Sequence, residues 1–127
     1  MSSTPELGPV IVSVPARTDY LHLLRLNAAG VAASAFDVDT VEDLKIAIEE
    51  LAARLIDIDG DDEIQVTFEF DADGLIVVGA RATPRQHDLE IDEFLPTILD
   101  AVVDDYDLEV VGGQATFRFA KRFRDLD

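Results

Sequence analysis

Two hydrophobic rhythms alternate along this chain. One is the two-residue period of a half-buried strand. It is cleanest in "EIQVTFEF", where Ile64, Val66, Phe68 and Phe70 fall on one side and Gln65, Thr67 and Glu69 on the other. The other is the helical period. Val41, Leu44, Ile48, Leu51 and Leu55 form one apolar stripe in "TVEDLKIAIEELAARLID". Thr40 reads as the N-cap of that helix, with Asp43 three residues on in a near capping-box arrangement. "DIDGDD" reads as the turn that ends it.

The same rhythms place the other elements. "VIVSV", Val10 to Val14, is short and β-branched, so it predicts a strand. Pro15 suits the first turn of a helix, where its missing N–H costs nothing. From Ala16 to about Phe36, residues Tyr20, Leu21, Leu24, Ala28, Val31 and Ala35 recur at helical spacing. Gly30 weakens that helix by ~1 kcal/mol. "DADG" predicts a tight turn into "LIVVGARA", with a positive φ expected at Asp73-Gly74. Residues 83–90 read as a loop. "IDEFLPTILDAVVDDY" predicts a helix from about Asp92 to Tyr106, with Pro96 tolerable only near its start. "DLEVV" and "QATFRFAKRF", joined by Gly112-Gly113, predict a second hairpin.

The resulting order is β-α-α-β-β-α-β-β. It predicts an α/β (α+β) two-layer sandwich: a mixed, mostly antiparallel sheet of about five strands with three helices on one face. Residues 10–124 are expected to form one domain, and residues 1–9 a flexible N-terminal tail.

Charge narrows the function. Among 127 residues, 27 are acidic and 10 basic, a formal charge of -17. Such a surface repels phosphate backbones, so no direct nucleic-acid or membrane partner is expected. The absence of cysteine excludes a disulfide scaffold and thiolate metal sites. No apolar run is long enough to span a bilayer, and "MSSTPELGP" lacks a signal-peptide pattern. The expectation is a soluble cytoplasmic protein.

Few residues carry candidate chemistry. Glu50 and Arg54 stand at i, i+4 with the acid first, which favours an ion pair worth ~0.3–0.5 kcal/mol. His22 falls off the apolar stripe and His87 lies in a polar segment, and two separated histidines make no metal motif. Asp57, Asp59 and Asp61 alternate, yet the glycine and distant glutamate of a calcium loop are missing, so a solvated turn is expected. Lys121 to Arg124, "KRFR", is the one basic cluster. No Ser-His-Asp or Cys-His set is legible.

The order and spacing of these segments resemble the histidine-kinase-type (GHKL) ATPase fold, in particular the anti-sigma-factor serine kinases of the RsbW type. "VSVPARTDYLHLLR" is similar to that family's opening strand and first helix, and "DLKIAIEELAARLID" to its N-box helix. "LPTILDAVVDDYDLEVVGGQATFRFAK" is similar to its closing segment. The resemblance puts Glu50 at the general-base position. It puts Arg54 where the family has the asparagine that holds Mg²⁺, and Arg81 where it has the aspartate that receives the adenine amino group. A guanidinium has donors and no lone pair, so it can neither ligate a metal nor accept from adenine. The family's glycines are absent from "ARATPRQHD", "DEFLPT" replaces its second glycine-rich motif, and the lid between them is shorter.

The resemblance therefore implies degenerate motifs with no working catalytic residue, no cofactor and no metal. Arg54 and Arg81 are expected at the mouth of one degenerate cleft. It implies a nucleotide-free regulatory module in bacterial transcription or stress signalling, which binds a sigma factor or an anti-sigma antagonist through protein–protein contacts. The alternative is an active ATP-dependent serine/threonine-protein kinase that phosphorylates an anti-sigma factor antagonist. A homodimer is left open.

Overall fold

The structure is a computed structural model that describes residues 8–58, 60, 62–82 and 93–123. Strand β1 (Val10–Pro15) leads through a 3-10 turn, Thr18–Tyr20, into helix α1 (Leu21–Ala32) and helix α2 (Val38–Ile56). Strands β2 (Glu63–Phe70) and β3 (Gly74–Ala82) follow. Helix α3 (Phe94–Val102) precedes strands β4 (Asp105–Val111) and β5 (Gln114–Arg122). The five strands form one sheet in the order β1-β2-β3-β5-β4. All four pairings are antiparallel, so the sheet is not mixed as expected.

One face of the sheet carries the core. Ile64, Val66 and Phe68 of β2, Leu75 and Val77 of β3, and Ala115, Phe117 and Phe119 of β5 are buried there. Alternation along each strand sends these side chains toward the helices and their neighbours toward water. The α2 stripe lies over them, with Leu44, Ile48, Leu51 and Leu55 fully enclosed. Shortening any one of these leucines to alanine costs about 2–5 kcal/mol, because the cavity only partly collapses.

Several boundaries differ from expectation, each for a local reason. Pro15 ends β1 opposite Glu63 instead of opening a helix. An edge strand tolerates a residue without an N–H. Asp37, not Thr40, caps α2: its Oδ1 accepts from the Thr40 N–H at 2.8 Å. Thr40 thereby moves inside the first turn and is buried. The chain reaches β4 sooner than the apolar pattern of α3 suggests. Asp104 N–H already bonds Ala120 O at 3.0 Å, and Tyr106, Leu108 and Val110 pack on the core in strand alternation.

The hairpins also differ from one another. Gly112 and Gly113 have φ of 60° and 77°, as a two-residue primed turn requires. Gly74 has no positive φ, contrary to expectation. Asp71 Oδ1 instead holds the turn by accepting from the N–H of Asp73 at 2.7 Å and of Gly74 at 3.0 Å. Glycine is needed at 74 for space, since a Cβ there would lie 2.0 Å from Lys121 O.

Candidate functional site

The alternation that buries Leu75 and Val77 on β3 also turns Arg81 inward. The residue is 1% exposed, and its side chain is the largest of the fully buried ones among the described residues. A buried guanidinium must find acceptors for its donors or cost several kcal/mol. The C-terminus of α2 supplies them, because the last carbonyls of a helix have no intrahelical partner and carry partial negative charge. Arg81 Nη1 donates to Leu55 O at 2.7 Å, to Ile56 O at 3.3 Å and to Ile58 O. Nη2 donates to Gly60 O at 3.1 Å and to Asp62 Oδ1 at 2.8 Å. Nε donates to the Asp62 carboxylate at 3.1 and 3.2 Å. All five guanidinium N–H groups are thus engaged.

The turn after α2 is shaped around this cation. Gly60 has φ of +141°, and a Cβ on it would stand 3.0 Å from both Arg81 Nη2 and Asp62 Oδ1. Asp62 O accepts from Ala16 N–H at 3.0 Å, which ties the same turn to the end of β1. The Arg81 hydrogen bonds hold the Asp62 carboxyl below its ordinary value, against an opposing push from burial.

Glu50 and Arg54 lie on α2, one to two turns before this knot. Arg54 Nη2 stands 3.8 Å from Glu50 Oε2, with 17% and 32% of the two side chains exposed. Arg54 Nη1 also reaches Glu50 O at 3.5 Å. The two arginines meet the same end of α2 in different ways. Arg81 binds the carbonyl of Leu55, the residue next to Arg54, from inside the fold. Arg54 lies on the helix with its own glutamate. Arg81, expected with Arg54 at the mouth of one degenerate cleft, is instead enclosed against the end of α2.

Other candidates separate. His22 is exposed on α1, and His87 lies outside the described residues. Asp57 is exposed, whereas Asp59 and Asp61 lie outside the described residues. Among the described residues no group of histidine and carboxylate side chains could hold a metal ion. The basic cluster divides. Lys121 Nζ donates to Val102 O at 3.0 Å at the end of α3 and stands 3.8 Å from Asp43. The Arg122 backbone N–H donates to Asp104 Oδ2 at 2.7 Å, and Phe123 stacks on Phe36 at 5.5 Å. Arg124 lies outside the described residues. Two helices, α2 and α3, thus have their C-terminal carbonyls held by a cation from the sheet.

Sequence reasoning missed the capping role of Arg81, although a signal was present. An arginine in the buried phase of Leu75, Val77 and Gly79 implies an enclosed charge with obligatory partners.

No family model matches the chain, and no curated protein matches it. Among solved structures it is similar to the crystal structure of the RsbU and RsbW domains of Rv1364c from Mycobacterium tuberculosis, with a TM-score of 0.74 and 15% sequence identity. The match covers 91% of this chain and 32% of that one, so the chain spans about a third of that protein's length. At this identity the likeness is one of fold. The fold is an α+β sandwich, five antiparallel strands with three helices, like that of the matched part of that structure. No helix among the described residues is long and apolar enough to cross a membrane.

Proposed function

We propose that this protein is a nucleotide-free regulatory binding module of the anti-sigma-factor type. It acts in the cytoplasm through contacts with a sigma factor or an anti-sigma antagonist, as the resemblance to RsbW-type kinases implies. The observation that carries the nucleotide-free reading is the state of Arg81. Its position corresponds to the aspartate that receives adenine in that family. Here the side chain is buried, and every donor is committed to α2, its following turn and Asp62. Neither an acceptor for the adenine amino group nor a free cation for a phosphate remains at that point. At the Mg²⁺ position, Arg54 offers a guanidinium beside Glu50, which cannot ligate a metal. Phosphoryl transfer needs the metal and held phosphates.

Calorimetric titration with Mg²⁺-ATP tests the proposal. The expected result is no saturable heat at micromolar nucleotide. Tight, Mg²⁺-dependent, adenine-selective binding would overturn it in favour of the active ATP-dependent kinase.

A further inference from the structure

No described residue covers the sheet face opposite the helices, and its registers arrange it into rows. One row runs Glu69, Ile76, Ala120, Asp105. The next runs Ile11, Thr67, Val78, Arg118, Asp107. A third runs Ser13, Gln65, Ala80, Thr116, Glu109. The centre is therefore the apolar column Ile76, Val78, Ala80 and Ala82 of β3, with Ala120 beside it on β5. Val78 is 37% exposed and Ile11 61%. From Ile76 to Ala82 the column covers about 20 Å at roughly 3.3 Å per residue.

Charge on this face is lopsided. Glu63, Glu69, Asp105, Asp107 and Glu109 point outward with Arg118 and Arg122, five acids against two bases. Asp105 takes Arg118 at 3.1 Å. Among the described residues Glu63, Glu69, Asp107 and Glu109 make no ion pair, while the cations of the helix layer each have an acidic partner. The acids flank the apolar column, on β2 to one side and on β4 to the other. A second copy seated here would set one net-negative face on another, which like-charge repulsion opposes.

We infer that the open sheet face docks a basic amphipathic helix of a protein partner, laid along β3 with its apolar stripe on Ile76, Val78 and Ala80. Its flanking lysines and arginines meet Glu63 and Glu69 on one side and Asp107 and Glu109 on the other. The helix completes a three-layer α/β/α arrangement over a sheet that the described residues cover on one face only. This surface deepens the partner-binding reading and rests on it.

The probe is a fluorescein-labelled leucine–lysine amphipathic peptide of about fourteen residues, which spans ~21 Å as a helix. At physiological salt, saturable binding is expected, with amide NMR shifts concentrated on β2, β3, β5 and β4. Val78→Lys should weaken it by about tenfold or more, as loss of a central contact does. Thr67→Lys, in the same row, gives a second reading should Val78→Lys fail to fold. Asp107→Lys with Glu109→Lys should weaken binding and flatten its salt dependence. Asp39→Asn with Glu42→Gln on α2 should leave it unchanged. Shifts confined to α1 and α2, or lysine at 67 and 78 without effect, would overturn the proposal. So would a sedimenting dimer that Val78→Lys dissociates, since the occupant would then be a second copy. The Mg²⁺-ATP titration reports separately: tight nucleotide binding sinks the nucleotide-free reading and leaves the sheet surface standing.

Discussion

Arg81 and Asp62 form an ion pair at 2.8 Å in which the guanidinium is fully enclosed and 38% of the carboxylate side chain remains exposed. The asymmetry sets what each partner does. Arg81 cannot find water if its acceptors leave, whereas Asp62 can. The pair is thus a clasp closed from the inside, joining the end of α2, the following turn and β3. Replacing Arg81 by Met keeps the bulk but abandons four carbonyls and a carboxylate. The expected loss is about 1–3 kcal/mol, the cost of leaving enclosed acceptors without a donor, since Asp62 itself can turn to water. Arg81→Lys keeps the charge with fewer, differently aimed donors and should fall between. Urea unfolding midpoints at constant m-value measure both.

The clasp also predicts a pH dependence. Asp62 has a folded pKa below its ordinary value of 3.8. Its contribution is therefore fully present above that value and is lost as pH falls through the lower folded pKa. The whole chain is a poor readout, because acid also discharges the many other carboxylates and relieves their repulsion. The informative quantity is the stability difference between wild type and Asp62→Asn. It should favour wild type near neutral pH and shrink toward zero below about pH 3.8. A difference constant across that range would show that Asp62 carries no such linkage.

Much of this fold could be read from periodicity. The β2 strand occupies the eight residues whose alternation marks it, and the Gly112-Gly113 turn joins the strands expected of it. These are local patterns, written within a few residues. The parts that could not be read depend on distant partners or on competing local ones. Arg81 binds groups 19 to 26 positions away, so no window around it contains the reason for its burial. Lys121 reaches back 19 residues to Val102. At the start of α2, Asp37 and Thr40 are both capable caps, and pattern alone does not choose. The end of α3 was masked by acids that read equally well as a helix or as the outer side of β4.

That last choice at α2 makes its own prediction. With Asp37 as the cap, Asp37→Ala should cost about 1 kcal/mol, while Thr40→Val should not behave as a cap deletion. Circular dichroism during urea titration distinguishes them. A larger cap loss from Thr40→Val than from Asp37→Ala would place the helix start three residues later.

The final prediction concerns reversal. Were Arg81 a simple replacement within an intact cleft, Arg81→Asp would restore the family's acceptor and Arg54→Asn its metal ligand. The geometry predicts otherwise. Aspartate at 81 would place a second carboxylate beside Asp62 and against the negative end of α2, and four carbonyls would lose the donor that Arg81 gives them. The substitution exchanges an enclosed attraction for an enclosed repulsion, so Arg81→Asp should destabilise more than Arg81→Met. The double variant Arg54→Asn, Arg81→Asp should then fail to bind Mg²⁺-ATP, and a drop in the urea midpoint should accompany that failure. Adding free guanidinium at low millimolar concentration to Arg81→Ala offers a complementary test. Because the acceptors remain in place, it should recover part of the lost stability before its denaturing action dominates. A fully stable Arg81→Asp variant that binds Mg²⁺-ATP would mean that the arginine only occupies a nucleotide site and does not hold the fold together.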